Sequence, residues 1–222
     1  DHISILGDDI ESIAFEKAGI IKSETPVVMY PQIDEVSKVV RQVASEQHAP
    51  VYGVDDAQIE IICSEFGEQI FNFQFEDFQL EELIIHLSGR HQVLNAATVI
   101  TSALALNDIG ANISKQAIVN GLEVAKWPGR LERLGTSPDI IVDGAHNVAS
   151  AKILASALED YYSDRHLILV IGMLEDKEVD RILKILCPLA DMVIITHPES
   201  DRAIAMDVLF QKASPYCKDI MI

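Results

Sequence analysis

A Trp-Pro-Gly break at Trp127, Pro128 and Gly129 separates two kinds of chain, and the segment after it limits the fold most. In that segment, apolar runs and helical stretches alternate. Strands are predicted at 140–142, 167–171, 192–196 and from 219–222, with helices at 148–160, 178–187 and 203–213 between them. Strands separated by helices of this length imply a parallel sheet with right-handed crossovers. The first strand, Ile140-Ile141-Val142, stops at Asp143-Gly144 and leads into a helix. In an open α/β sheet, strand C-termini and the following helix N-terminus face one crevice. The pattern therefore predicts a small-molecule α/β domain that binds phosphate or carboxylate.

Before the break the chain reads as mixed α+β. Asp8 and Asp9 suit a helix start, and Ile10, Ile13, Ala14 and Lys17 fall on one face of a helix over 8–18. A strand is predicted over 27–30, then a helix over 34–47 with a stripe of Val36, Val39, Val40, Val43 and Ala44. β-rich runs come next at 51–54, 58–63, 69–75 and 83–87, with Gly67 and the Asp77 region as turns. A long apolar helix is predicted over 92–106, and another from a Ser114 cap to about Ala125. Pro128-Gly129 is the best boundary, giving domains at 1–127 and 128–222.

The 222 residues carry a formal net charge of −18, which argues against a nucleic-acid surface because nothing supplies a basic stripe. A few placed Arg and Lys can still dominate a cleft. Three separated cysteines, Cys63, Cys187 and Cys217, fit neither a disulfide framework nor zinc spacing. No signal sequence or membrane-length apolar run stands out, so a cytoplasmic location is expected. The chain begins at Asp-His without Met and ends on a strand, which suggests a fragment.

Several residues stand out chemically. Lys17 continues an apolar stripe, so a partly desolvated, nucleophilic amine is expected there; a snorkelling or salt-bridged lysine is the plainer reading. His2 offers an imidazole to a metal, or merely packs. Gly89-Arg90-His91-Gln92 with Asn95 places polar groups at the start of a helix, as a ligand site or simply a polar helix start. In Asp143-Gly144-Ala145-His146-Asn147, glycine permits close backbone approach while Asp143 and His146 orient a substrate; an Asn-capped turn uses the same residues. No GxxxxGK[ST], GxGxxG or GxSxG motif occurs.

Taken together, DHISILGDDIESIAFEKAGIIK (1–22), SGRHQVLNAA (88–97), WPGRLE (127–132) and VDGAHN (142–147) closely resemble the folylpolyglutamate synthase/dihydrofolate synthase family of the Mur ligase superfamily. VIGMLEDKEVDRIL and ITHPESDRA also look like that family's C-terminal domain. The resemblance implies a partial central nucleotide-binding domain followed by a Rossmann-like C-terminal domain with a mainly parallel sheet. It implies that ATP phosphorylates a folate or dihydropteroate carboxylate and that the amine of L-glutamate attacks the acyl phosphate, with Mg2+ and basic groups screening the anions.

By position, His2 resembles a magnesium-ligating histidine and Lys17 a carbamylated catalytic lysine. Asn95, Arg130 and Asp143 resemble nucleotide-holding residues. His146 is expected near the transferred phosphate or the incoming glutamate. A GTNGKGS-like phosphate loop is expected upstream of residue 1, so the chain alone is expected not to catalyse ligation. A peptidoglycan Mur ligase is the nearest rival, although Gly144 stands where those enzymes typically carry tyrosine. A catalytically dead binding or assembly module is the other.

Overall fold

The computed structural model describes residues 9–222, which form two units, one running to Lys126 and the other spanning Trp127–Ile222. Among the described residues no helix is long and apolar enough to cross a membrane.

The first unit opens with helix α1 (Ile10–Ala18). The Asp9 carboxylate accepts the Ser12 N–H at 2.8 Å and caps it. Its packed edge is Ala14 and Ala18, both 3% exposed, set against α2 (Asp34–Glu46). This corrects the expectation for Lys17, which is exposed. On a helix of 3.6 residues per turn, positions 10 and 17 lie along the opposite margin of the stripe from 14 and 18. Ile10, on that margin, is 48% exposed too. The stripe is there, but only one side of it is covered. Phe15, Ile20 and Ile33 in this unit are exposed apolar residues.

Strands β1 (Val27–Met29) and β2 (Val51–Gly53) pair in parallel across α2. An antiparallel meander of β3 (Gln58–Glu65), β4 (Glu68–Phe75) and β5 (Phe78–Ile85) comes next. β5 begins five residues before the predicted run at 83. The reason is an irregularity in its pairing with β4, where Glu82 takes φ 50° and donates its N–H to Asn72 Oδ1 at 2.9 Å. The two acids at Glu81 and Glu82 break the alternation that marks a strand. One face of the meander, with Phe71, Phe73 and Leu83, packs on α3 (Arg90–Asp108) and α4 (Lys115–Glu123) through Val93, Ala97, Ile100 and Ile118.

The second unit begins with a hairpin, β6 (Glu132–Thr136) antiparallel to β7 (Asp139–Val142). This corrects the prediction that 140–142 enters the parallel sheet: its hydrogen-bonded partner is β6, which the sequence did not announce. Leu134 and Ile140 are exposed, so the hairpin lacks the buried face that gives a strand its alternating signature. The parallel sheet has the order β10 (Ile220–Met221), β9 (Met192–Ile195), β8 (Ile168–Ile171). Helix α5 (Val148–Tyr162) precedes β8, and α6 (Val179–Leu186) and α7 (Met206–Ala213) lie in the crossovers. The α7 helix starts later than predicted because residues before it pair instead: Ile204 donates its N–H to the Met173 carbonyl, and Ala203 bridges Leu174. Val193, Ile195, Ile182, Leu183 and Leu209 form the core.

One carboxylate ties the entries of all three parallel strands. Asp191, just before β9, accepts the Leu167 N–H before β8 at 3.0 Å and the Lys218 ammonium before β10 at 3.0 Å, with His166 Nδ1 at 3.2 Å. The Leu167 N–H, and then Lys218, hold the Asp191 carboxyl below its ordinary value. A depressed folded-state pKa adds stability above the unfolded carboxylate range and loses it as pH falls through the folded value. Asp191→Asn is therefore expected to lower stability at neutral pH and to flatten its fall under acid. Urea midpoints measured from neutral pH down to about 2, below ordinary carboxylate values, check this; parallel curves for the two proteins would contradict it.

Candidate functional site

The predicted ligand junction is built by one carboxylate reaching across two loops. β7 ends at Val142, and the Asp143 side chain turns back on the backbone. Its Oδ2 accepts the Leu131 N–H at 3.0 Å and its Oδ1 the Ala145 N–H at 2.8 Å. Gly144 donates its N–H to the Gly129 carbonyl at 2.8 Å. Segments 129–131 and 143–145 are thereby stitched together. The stitch holds a strained backbone: Leu131, a buried non-glycine residue, sits at φ 45°. Gly129, at φ 72°, takes the other left-handed position, where glycine costs nothing. Glu132 Oε2 accepts the Gly129 N–H at 2.7 Å.

Arg130 lies between these two left-handed residues. Its guanidinium rests on Gly144 so closely that a Cβ there would stand 2.6 Å from Nη1. A side chain at Gly144 would have to push aside the far end of Arg130, so the glycine leaves the guanidinium its present seat on the backbone. Arg130 is exposed and makes no hydrogen bond or ion pair with the described residues. A guanidinium exposed in this way and unpaired among the described residues is a receptor for a planar or phosphate anion.

The loop then enters α5. His146 Nδ1 lies 2.8 Å from the Gly144 carbonyl oxygen. Asn147 caps the helix by accepting the Ser150 N–H at 2.8 Å. Ser150 Oγ in turn accepts the N–H groups of His146 and Asn147, each at 3.1 Å. This is a capping box, with serine in the place of the usual Glu or Gln. Ser150 was missed in the sequence, although the Asn-x-x-Ser spacing could have pointed to it.

Arg130, Asp143 and His146 therefore meet around Gly144. Asn95 and Lys17 belong to the first unit. Asn95 is exposed in the second turn of α3, donating its Nδ2 to Gln92 Oε1 at 2.9 Å. Gln92 is buried, and Gly89 at φ 98° forms the helix entry. Lys17 projects from the open margin of α1. His2 lies outside the described residues. Among the described residues no group of three or more His, Cys, Asp and Glu converges as a metal site.

Residues 129–220 match the family model of the Mur ligase, glutamate ligase domain. The second unit resembles that domain along nearly its whole length, and the matched stretch carries the whole Arg130–Gly144–His146 arrangement. The chain as a whole resembles dihydrofolate synthase/folylpolyglutamate synthases. It is 36% identical to that of Bacillus subtilis over 210 residues, covering 91% of this chain and 48% of the relative. It is 33% identical to that of Mycobacterium tuberculosis over 219 residues, covering 94% of this chain and 45% of the relative. Among solved structures, Mycobacterium tuberculosis folylpolyglutamate synthase complexed with ADP aligns with TM-score 0.87 and 32% identity over 100% of this chain and 51% of that one. Folylpolyglutamate synthase from Thermotoga maritima aligns with TM-score 0.84 and 33% identity over 96% and 50%. The chain spans about half the length of the curated relatives it matches.

Asp143→Ala removes both acceptors and strands the Leu131 N–H beneath a strained backbone. A loss of about 1–3 kcal/mol in the glutamate ligase domain is expected, read from urea unfolding. A change within the scatter of neutral surface substitutions would show that the stitch holds nothing.

Proposed function

We propose that this chain belongs to an ATP-dependent ligase that joins L-glutamate to the carboxylate of a folate or dihydropteroate through an acyl phosphate. One observation carries the reading: the Asp143 stitch presents an unpaired Arg130 guanidinium on the bare backbone of Gly144, next to a helix N-terminus. Such a surface attracts phosphate, and its relatives include synthases crystallised with ADP. The folate substrate is proposed from the printed names of those relatives. Gly144, where peptidoglycan Mur ligases typically carry tyrosine, favours the folate branch over them.

The roles rest on what each side chain offers. Arg130 binds the nucleotide's phosphate oxygens. Asp143 positions it by fixing both loops and also faces the nucleotide. Asn95, on an exposed helical turn, offers an amide to ATP from the first unit, proposed to be part of the central nucleotide-binding domain. Lys17 is proposed as the carbamylated lysine: its open position gives carbon dioxide access to the amine, and the modification turns a cation into an anion. Magnesium, when bound, screens the phosphate charge, and His2 is its proposed ligand. The described residues alone do not form a cage for it. Bringing carboxylate, phosphate and amine together supplies much of the rate. The ligase is proposed to be cytoplasmic.

In the intact ligase, Arg130→Ala is expected to weaken ATP binding by roughly 10- to 150-fold, the loss of a charge-assisted hydrogen bond of about 1.5–3 kcal/mol. Arg130→Lys should restore only part of it, because a point charge cannot reproduce the planar fork. Calorimetric titration with ATP, alongside ADP release in the presence of folate and glutamate, measures this. Unchanged affinity in Arg130→Ala, or turnover with muramyl nucleotides but not folates, would contradict the reading.

A further inference from the structure

The histidine of the Asp143–Asn147 loop has its ring orientation and its proton settled by the backbone. His146 Nδ1 lies 2.8 Å from the Gly144 carbonyl oxygen. A carbonyl oxygen only accepts, so Nδ1 must carry the hydrogen. In the neutral ring this leaves Nε2 without one, its lone pair pointing away from Gly144 on an exposed side chain. The carbonyl that sets the tautomer belongs to the residue on which the Arg130 guanidinium rests. The backbone N–H of His146 is held by Ser150 Oγ at 3.1 Å, inside the capping box of α5. The ring is thus anchored through the backbone at both ends, and its only uncommitted atom is a proton acceptor beside an anion receptor.

We infer that His146 Nε2 is the base that deprotonates the incoming amino acid. This rests on the ligase reading above and gives one of its residues a specific proton. An α-amino group is largely an ammonium near neutral pH, and an ammonium has no lone pair with which to attack. Nε2 takes one proton from the ammonium nitrogen. The freed lone pair forms the C–N bond at the acyl phosphate carbonyl, and the C–O bond to phosphate breaks with its electron pair leaving on phosphate. The second nitrogen proton goes to the departing phosphate, giving the amide and hydrogen phosphate, and the imidazolium returns its proton to solvent.

The test replaces glutamate with hydroxylamine, an amine already neutral near pH 7 that needs no base to attack. In the intact ligase, His146→Gln is expected to lower kcat with glutamate by roughly 10²–10⁴-fold, the usual worth of a positioned base. KM for ATP and folate should stay close to that of the unsubstituted enzyme. Hydroxamate formation from folate, ATP and hydroxylamine should proceed in His146→Gln at a rate close to that of the unsubstituted enzyme. His146→Asn, which keeps a donor for the Gly144 carbonyl but lacks Nε2, should behave in the same way. Equal loss of the glutamate and hydroxylamine reactions would overturn the inference and leave the ligase reading intact. An unsubstituted enzyme that makes neither product would sink the ligase reading, and the inference with it. Independently of activity, nitrogen-15 spectra of the histidine rings should show His146 protonated on Nδ1. The reverse tautomer would overturn the assignment.

Discussion

The Asp143 carboxylate accepts two backbone N–H groups on opposite sides of a gap, those of Leu131 and Ala145. Everything distinctive about the site depends on that bridge. A carboxylate holding two amide donors resists movement, because releasing either leaves an amide to be solvated again. With both held, the chain at Leu131 can stay in a left-handed conformation that a leucine would otherwise avoid. That turn carries Arg130 back over Gly144, where the missing side chain leaves room for a guanidinium. The backbone strain is local, confined to Leu131 beside Arg130.

The same device recurs at the entries of the parallel sheet. Asp191 links the entries of β8, β9 and β10, so one carboxylate anchors the bottom of the parallel sheet as Asp143 anchors the loops beyond β7. Between them stand the apolar contacts of α6 and α7 on Val193 and Ile195. These fix the frame but select no ligand. The capping box of Asn147 and Ser150 joins frame to site, since it starts α5 and holds the His146 backbone in place. The proposed site thus rests on three loop residues, Arg130, Asp143 and His146, seated on rigid elements.

Much of this was readable from residue order. The alternation after Pro128 foretold β8, α6, β9 and α7, because strand and helix periodicities differ and each element buries one side. The Asp-Gly stop after Ile140-Ile141-Val142 pointed to the loop where Arg130, Asp143 and His146 meet around Gly144. What was hidden depended on long-range pairing. β6 carries no apolar alternation, so nothing marked it as the partner that takes β7. The bulge at Glu82 concealed the first half of β5. The desolvated reading of Lys17 failed and the plainer, solvent-facing one fits, because spacing reports a helical face but not how far the covering element extends across it. The guanidinium on Gly144 could not be foreseen either, since it depends on a positive φ at Leu131, a residue type that rarely adopts one.

The proposed role of Asp143, holding Arg130 as a nucleotide clamp, is tested most directly by a crystal structure of the intact protein with a non-hydrolysable ATP analogue. The expected structure has the Arg130 guanidinium within hydrogen-bonding distance of the analogue's phosphate oxygens, with Asp143 still accepting the N–H groups of Leu131 and Ala145. An Arg130 turned away from the nucleotide, or an Asp143 released from both amides, would contradict it.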